Sequence, residues 1–336
     1  ADALGPRLES ACRDRSFRLE YPTLGAGGAT SKGLVCDLAI WPDFTFDWMF
    51  GAEATIIGWT RVGRRTAAIG DGNLIVIDIN PVLLEIGPLA LRWYGLMYSV
   101  GIAVGLWVVF PYATQRGITE EQIWTAVWPS VIAGLVGARL YFVIQQPLEP
   151  YLAEPWRIVA TWEGGMAFYG AIFGVGLALL VVARRAAIPL WAMLDVAALF
   201  AVVGQAFGRI GNIINGDIVG PPTDLPWGFV YKHPGSFVAD HTVAYQPAAV
   251  YELLFNIAFF AVLWPLRHRL PRSGLLFGVY LVGYSVGQFA LFFLRTEPLV
   301  AFGLKQAQLT ALVVLVAGLA LCWWLLKHPE RQPSKV

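Results

Sequence analysis

The sequence predicts an all-α fold, a multi-pass bundle of about seven transmembrane helices, and three observations carry that prediction. Hydrophobic residues make up 57% of the 336 positions and charged residues only 14%, where soluble domains carry about 25% charged side chains. Mean hydropathy is +0.59. From Leu74 onward the apolar residues gather into seven stretches, each close to the ~20 residues with which a helix crosses a hydrocarbon core about 30 Å thick.

In chain order the spans are expected at 91–113, 123–144, 165–183, 191–214, 248–266, 274–294 and 307–326. Gly101, Gly105, Gly134, Gly137, Gly174, Gly176 and Pro129 fall inside them, as befits helices that pack closely in lipid. Loops after odd-numbered spans carry nine basic residues, Arg116, Arg184, Arg185, Arg267, Arg269, Arg272, Lys327, Arg331 and Lys335. Loops after even-numbered spans carry four, Arg157, Lys232, Arg295 and Lys305. This bias places the C-terminus in the cytoplasm and the N-terminus outside.

Residues 1–73 hold 17 of the 47 charged residues, so composition divides the chain. We expect an N-terminal extension over 1–75 without a fold of its own, then a transmembrane domain over 76–336 with an extracytoplasmic insertion at about 216–246. A small extracytoplasmic domain closed by a Cys12–Cys36 disulfide is the competing reading. The first segment lacks the basic start and apolar run of a signal peptide.

A net charge of +1 with no basic block gives no field to collect a polyanion, so nucleic acid is not an expected partner. Cys12, Cys36 and Cys322 share no metal-ligand spacing, and His233, His241, His268 and His328 all lie outside the apolar stretches. Neither a metal nor another cofactor is expected.

Ionisable residues inside a bilayer are costly and are kept for pairing or function. The second span holds Arg139, the fourth Asp195 and Arg209, the fifth Glu252, and Arg295 closes the sixth. Around Arg209 the chain reads Gly208-Arg209-Ile210-Gly211-Asn212-Ile213-Ile214-Asn215-Gly216-Asp217, with Gly220 following. Arg209, Asn212 and Asn215 recur every third residue and share one helix face. A guanidinium with amide donors beside it suits a phosphate, since it forks onto two oxygens and stays charged. In a membrane that phosphate belongs to a phospholipid headgroup. The alternative is a structural ion pair of Arg209 with Asp195 or Glu252. Arg139 is a candidate for headgroup binding or for an interfacial structural role, while Asp195 and Glu252 are read as helix-positioning partners.

At these residues the chain resembles the prolipoprotein diacylglyceryl transferase family of bacterial membrane enzymes, over about three quarters of its length. The signature Gly-Arg-x-Gly-Asn-x-x-Asn-Gly-(Glu or Asp)-x-x-Gly is met from Gly208 through Gly220. Three further motifs follow the family's order: Arg92-Trp93-Tyr94-Gly95-Leu96-Met97-Tyr98, Trp162-Glu163-Gly164-Gly165-Met166, and Pro247 to Tyr251-Glu252. The resemblance implies transfer of the diacylglyceryl group of phosphatidylglycerol to the lipobox cysteine thiol of prolipoproteins, releasing glycerol phosphate. It assigns Arg209 to the phosphatidylglycerol, and places Tyr94, Asn212 and Gly220 at functional positions; Asn215, Gln288 and Arg295 are further candidates for substrate binding.

Three positions depart from the family pattern. Tyr169 precedes Gly170 where many members have a histidine, a candidate base. Gln288 stands where the family carries a second arginine, and Phe292 where an acidic residue is usual. These departures motivate a competing expectation, a lipid-binding relative without catalysis. A small-anion transporter built on the same arginine is a third, against which no internal repeat is visible in the sequence.

Overall fold

The computed structural model of the chain describes residues 74–86, 89–161 and 164–328, together with the backbone of two short strands at 21–24 and 30–33. Cys12, Cys36, Trp162 and Glu163 lie outside the described residues, and with them the disulfide reading and the start of the second motif. Residues 1–44 form one unit and 45–336 another. In the first, β1 (Tyr21–Leu24) pairs antiparallel with β2 (Thr30–Gly33), Tyr21 opposite Gly33.

The second unit holds, among the described residues, seven helices long and apolar enough to cross a membrane. They are α1 (Trp93–Gln115), α2 (Glu120–Ile144), α3 (Phe168–Arg185), α4 (Leu190–Asn215), α5 (Ala248–Leu266), α6 (Leu275–Leu291) and α7 (Gln306–Lys327). Local chemistry sets their limits. Thr119 and Gln122 close a capping box at the start of α2, where Glu120 and Glu121 also favour the positive end of the helix. At the other extreme of a span, Gly216 stops α4 at φ +73°, a left-handed conformation that only glycine adopts without penalty. Asp195 of α4 accepts from the backbone N–H groups of Gly274 (2.8 Å) and Phe277 (2.9 Å), satisfying donors that the first turn of α6 leaves open.

Packing is centred on α4, whose long sides meet α1 and α5. Val109 and Tyr112 of α1, Leu199 and Val202 of α4, Leu263 of α5 and Leu276 of α6 share one buried cluster. A second cluster joins the helix pair α2 and α3 to α1 and α4 at one end of the bundle, through Ala113, Ile123, Val182, Ala183, Ala192 and Met193. Within the pair the backbones touch: a β-carbon on Gly137 would run into the Gly170 carbonyl, and one on Gly170 into that of Gly137. Small residues let helices approach in lipid, where no hydrophobic force drives them together. Outward faces stay apolar and open, as at Trp107 (78% exposed) and Val313 (70% exposed).

The two ends of the bundle differ in chemistry. At one, Arg116 pairs with Asp195 and donates to Ser273, and Arg272 donates to the carbonyls of Leu325 and His328. The other end carries short strands: β3 (Ile75–Ile77), β4 (Val82–Ile86), β5 (Leu89–Arg92), β6 (Phe229–Tyr231), β7 (Leu299–Ala301) and β8 (Leu304–Lys305). β3 lies parallel to β6, and the pairs β4–β5 and β7–β8 are antiparallel. Phe229, Tyr231, Val238 and Tyr245 give the segment between α4 and α5 its own small core.

Candidate active site

The site is built on α4. Arg209 stands six residues before the last residue of that helix, about 9 Å along its axis at 1.5 Å per residue. Its Nη2 pairs with Oε2 of Glu252 on α5 at 2.5 Å, and its Nη1 donates to Oδ1 of Asn212 at 3.2 Å. Asn212 passes the contact on, its Nδ2 donating to both carboxylate oxygens of Asp217 at 3.1 and 3.2 Å. Glu252 is only 1% exposed and also accepts from Arg295 Nη1 at 3.2 Å. One buried carboxylate therefore stands between two guanidiniums.

Arg295 is fixed from several sides. It pairs with Glu297, and its guanidinium carbon lies 4.6 Å from the centre of the Phe292 ring, within cation–π range. Lys305 Nζ donates to the carbonyls of Phe292 and Arg295, both at 2.5 Å. These are carbonyls at the end of the sixth span, which a cation serves well. Burial draws the Lys305 ammonium below its ordinary pKa of 10.5, with Glu297 opposing.

Glycines bring other groups to the cluster. Gly211 lets α1 approach so closely that a β-carbon would lie 3.0 Å from Cα of Tyr94, and Gly208 accepts the Tyr98 ring at 3.4 Å. Tyr94 donates to the Tyr98 hydroxyl at 3.1 Å. Tyr94, Tyr98 and Tyr284 all lie within electrostatic range of Arg209. Gly220 donates its N–H to the Gln246 carbonyl at 2.8 Å, and a side chain there would collide with the Leu294 carbonyl. This close passage holds the loop after α4 against the end of the sixth span, next to Arg295.

Among the described residues, Nε of Arg209 and of Arg295, Oδ1 of Asn215 and of Asn256, Oγ of Ser285 and Nε2 of Gln288 are buried without a hydrogen-bond partner. Buried polar atoms are ordinarily paired, so each of these atoms is open to a further polar partner. Asn256 follows Glu252 by one turn of α5, and Gln288 follows Ser285 by one turn of α6, so each pair shares a helix face.

Arg209, Asn212, Tyr94, Glu252, Arg295 and the Gly220 loop thus come together, while Asn215 is buried on α4 and Gln288 on α6. Other residues singled out in the sequence bond to partners outside this cluster. Tyr169 donates to Oγ1 of Thr310 on α7 at 3.1 Å. Asp195 precedes Arg209 by fourteen residues of α4, about 21 Å, so of the two acids open to Arg209 it is Glu252 that pairs. Arg139 spends its guanidinium on backbone carbonyls: Nε on Ile158 (2.9 Å), Nη1 on Gly164 (2.5 Å) and Gly165 (3.0 Å), Nη2 on Arg157 (2.5 Å). It gathers the loop that leads into α3. Arg139→Lys is expected to lose most of these bonds and about 3 kcal/mol of stability, read by thermal unfolding in detergent.

Sequence reading did not single out Tyr98, Tyr284, Glu297 or Lys305 for the site. The signal for Lys305 was present: a lysine just before a span and just after the carbonyl-rich end of another is placed to bond them. Glu297, two residues after Arg295, carried a similar hint.

Among the described residues, seven apolar helices around a polar, arginine-centred cluster define a multi-pass membrane protein. A family model described as prolipoprotein diacylglyceryl transferase matches residues 81–324. The chain is 38% identical over 254 residues to the phosphatidylglycerol--prolipoprotein diacylglyceryl transferase of Synechococcus elongatus, covering 72% of this chain and 86% of that protein. To the proteins of that name from a Nostoc species and Bordetella avium it is 36% and 34% identical over 266 residues, covering 76% of this chain and 93% and 98% of theirs. The chain belongs to the prolipoprotein diacylglyceryl transferase family.

Proposed function

We propose that the chain transfers the diacylglyceryl group of phosphatidylglycerol to the lipobox cysteine of prolipoproteins, the first step of lipoprotein maturation, and that Arg209 holds the lipid phosphate. The observation that carries this reading is the state of Arg209: one edge of its guanidinium is taken by Glu252 and Asn212, while Nε is buried and unpartnered. A phosphate oxygen would complete it. Charge grows on the phosphate as the carbon–oxygen bond breaks, and donors fixed around it stabilise that change most. Arg295, Asn215 and Gln288 would supply further donors, and the Gly220 loop would close over the headgroup. Tyr94 and Asn212 would orient the pair of reactants.

The membrane is the bacterial cytoplasmic membrane in this reading. The basic end of the bundle lies in the cytoplasm, and the strand-bearing end with its site faces out. Family membership supports the transferase over a lipid-binding relative or a transporter. The test is direct: purified protein in nanodiscs with phosphatidylglycerol labelled in its acyl chains and a lipobox peptide. Label appearing on the cysteine supports the reading, and label remaining in lipid overturns it.

The catalytic part is proposed to begin near Leu74. A chain starting there keeps β3, which pairs with β6, and is expected to retain at least half of full activity. Starting after Ile77 removes that strand and is expected to lower both yield and activity, measured by membrane insertion and the same transfer reaction.

A further inference from the structure

Thioether formation needs the cysteine as thiolate, and a free thiol with pKa near 8.5 is mostly protonated at neutral pH. A group near Arg209 has to take that proton. Asp217 is placed for it. Its carboxylate is held by the Asn212 amide, which bonds the Arg209 guanidinium, so it lies one side chain away from the proposed phosphate seat. Its residue keeps an exposed surface, whereas Glu252 is sealed between two arginines. Tyr169, the other candidate, is engaged with Thr310.

Charge balance strengthens the placement. The connected cluster holds three cations, Arg209, Arg295 and Lys305, and three carboxylates, Glu252, Glu297 and Asp217. Arrival of a phosphodiester adds a negative charge to a neutral, poorly hydrated site, which raises the proton affinity of its carboxylates, and Asp217 is the most accessible of them. The groups facing Asp217 are Arg209 of α4, Arg295 at the end of the sixth span, Tyr94 of α1 and Tyr231 of β6. Desolvation already lifts the Asp217 carboxyl above its ordinary value, against the Asn212 hydrogen bond and the charges of Arg209 and Arg295, which lower it.

Resting on the transferase reading, we propose that Asp217 accepts the proton of the incoming cysteine thiol. The thiol proton passes to a carboxylate oxygen. The thiolate then attacks the glycerol carbon that bears the phosphate, a carbon–sulfur bond forms, and the carbon–oxygen bond breaks with its electron pair going to glycerol phosphate. Asp217 returns to the carboxylate by giving its proton to the departing phosphate monoester or to water.

The test compares a lipobox peptide with one carrying selenocysteine in place of cysteine, whose selenol is already ionised at neutral pH. Asp217→Asn is expected to transfer to the cysteine peptide about 10²-fold or more slowly than wild type. On the selenocysteine peptide the deficit should shrink to within about tenfold, because no base is needed there. Asp217→Glu should keep much of the activity on both peptides. An equal deficit on the two nucleophiles, or an Asp217→Asn variant as fast as wild type on the thiol, overturns the proposal. If Asp217→Asn fails to fold, Asp217→Glu decides: a folded glutamate variant impaired equally on both peptides overturns it too. Wild type inactive on the cysteine peptide would instead sink the transferase reading itself.

Discussion

Replacing Arg209 by lysine is expected to cut diacylglyceryl transfer by about 10²- to 10³-fold, nearly as much as replacing it by alanine. Lysine keeps the charge but offers a single point of attachment, whereas the guanidinium serves Glu252 and Asn212 on separate nitrogens and retains Nε for a third partner. A lysine ammonium drawn to Glu252 would abandon Asn212, and with it the contact that leads to Asp217. The measurement is transfer to a lipobox peptide in nanodiscs, with unfolding temperature recorded alongside. Near wild-type rates in the lysine variant would show that the fork is not used.

The largest effect on stability is expected at Glu252. This carboxylate is 1% exposed and answers two guanidiniums. Glu252→Gln preserves its shape but leaves two like charges in a low-dielectric interior, a loss of roughly 3–5 kcal/mol for breaking such a buried pair. The unfolding temperature should fall sharply and activity with it. Anionic lipid should then raise the melting temperature of the variant more than that of wild type, because a bound phosphate supplies the missing counter-charge. Equal stabilisation of the two proteins by phosphatidylglycerol and a zwitterionic lipid would count against a phosphate seat beside Glu252.

The spans were legible because hydropathy is a local property. The fifth stretch, expected at 248–266, is the helix Ala248–Leu266, and the fourth, expected at 191–214, is Leu190–Asn215. An end moved by three residues where a capping box decided it, as in the second, expected from 123 and found from Glu120. Pairing between helices was not legible. Arg209 faced two acids in the sequence, and the choice of Glu252 depends on depth along α4, where Asp195 lies near the opposite end. Gln288 and Phe292 stand where the resemblance implies an arginine and an acidic residue, and the contact of Phe292 with Arg295 could not be read from the sequence. Ring and guanidinium meet there through a short 3-10 turn, Phe292–Leu294, after α6, a break in helical phase that span-level periodicity does not register.

The placement of Arg209 along the wall of α4, about 9 Å short of the helix end, changes what concentration means for this protein. If Arg209 is the phosphate seat proposed above, a group at that depth meets molecules travelling within the bilayer sheet, in which the apolar flanks of the surrounding helices hold the bundle. Encounter is then a two-dimensional process, and the relevant variable is the mole fraction of each reactant among the surrounding amphiphiles. Diluting the lipid with inert detergent at constant bulk amounts slows such a process, whereas adding water to intact vesicles leaves it unchanged.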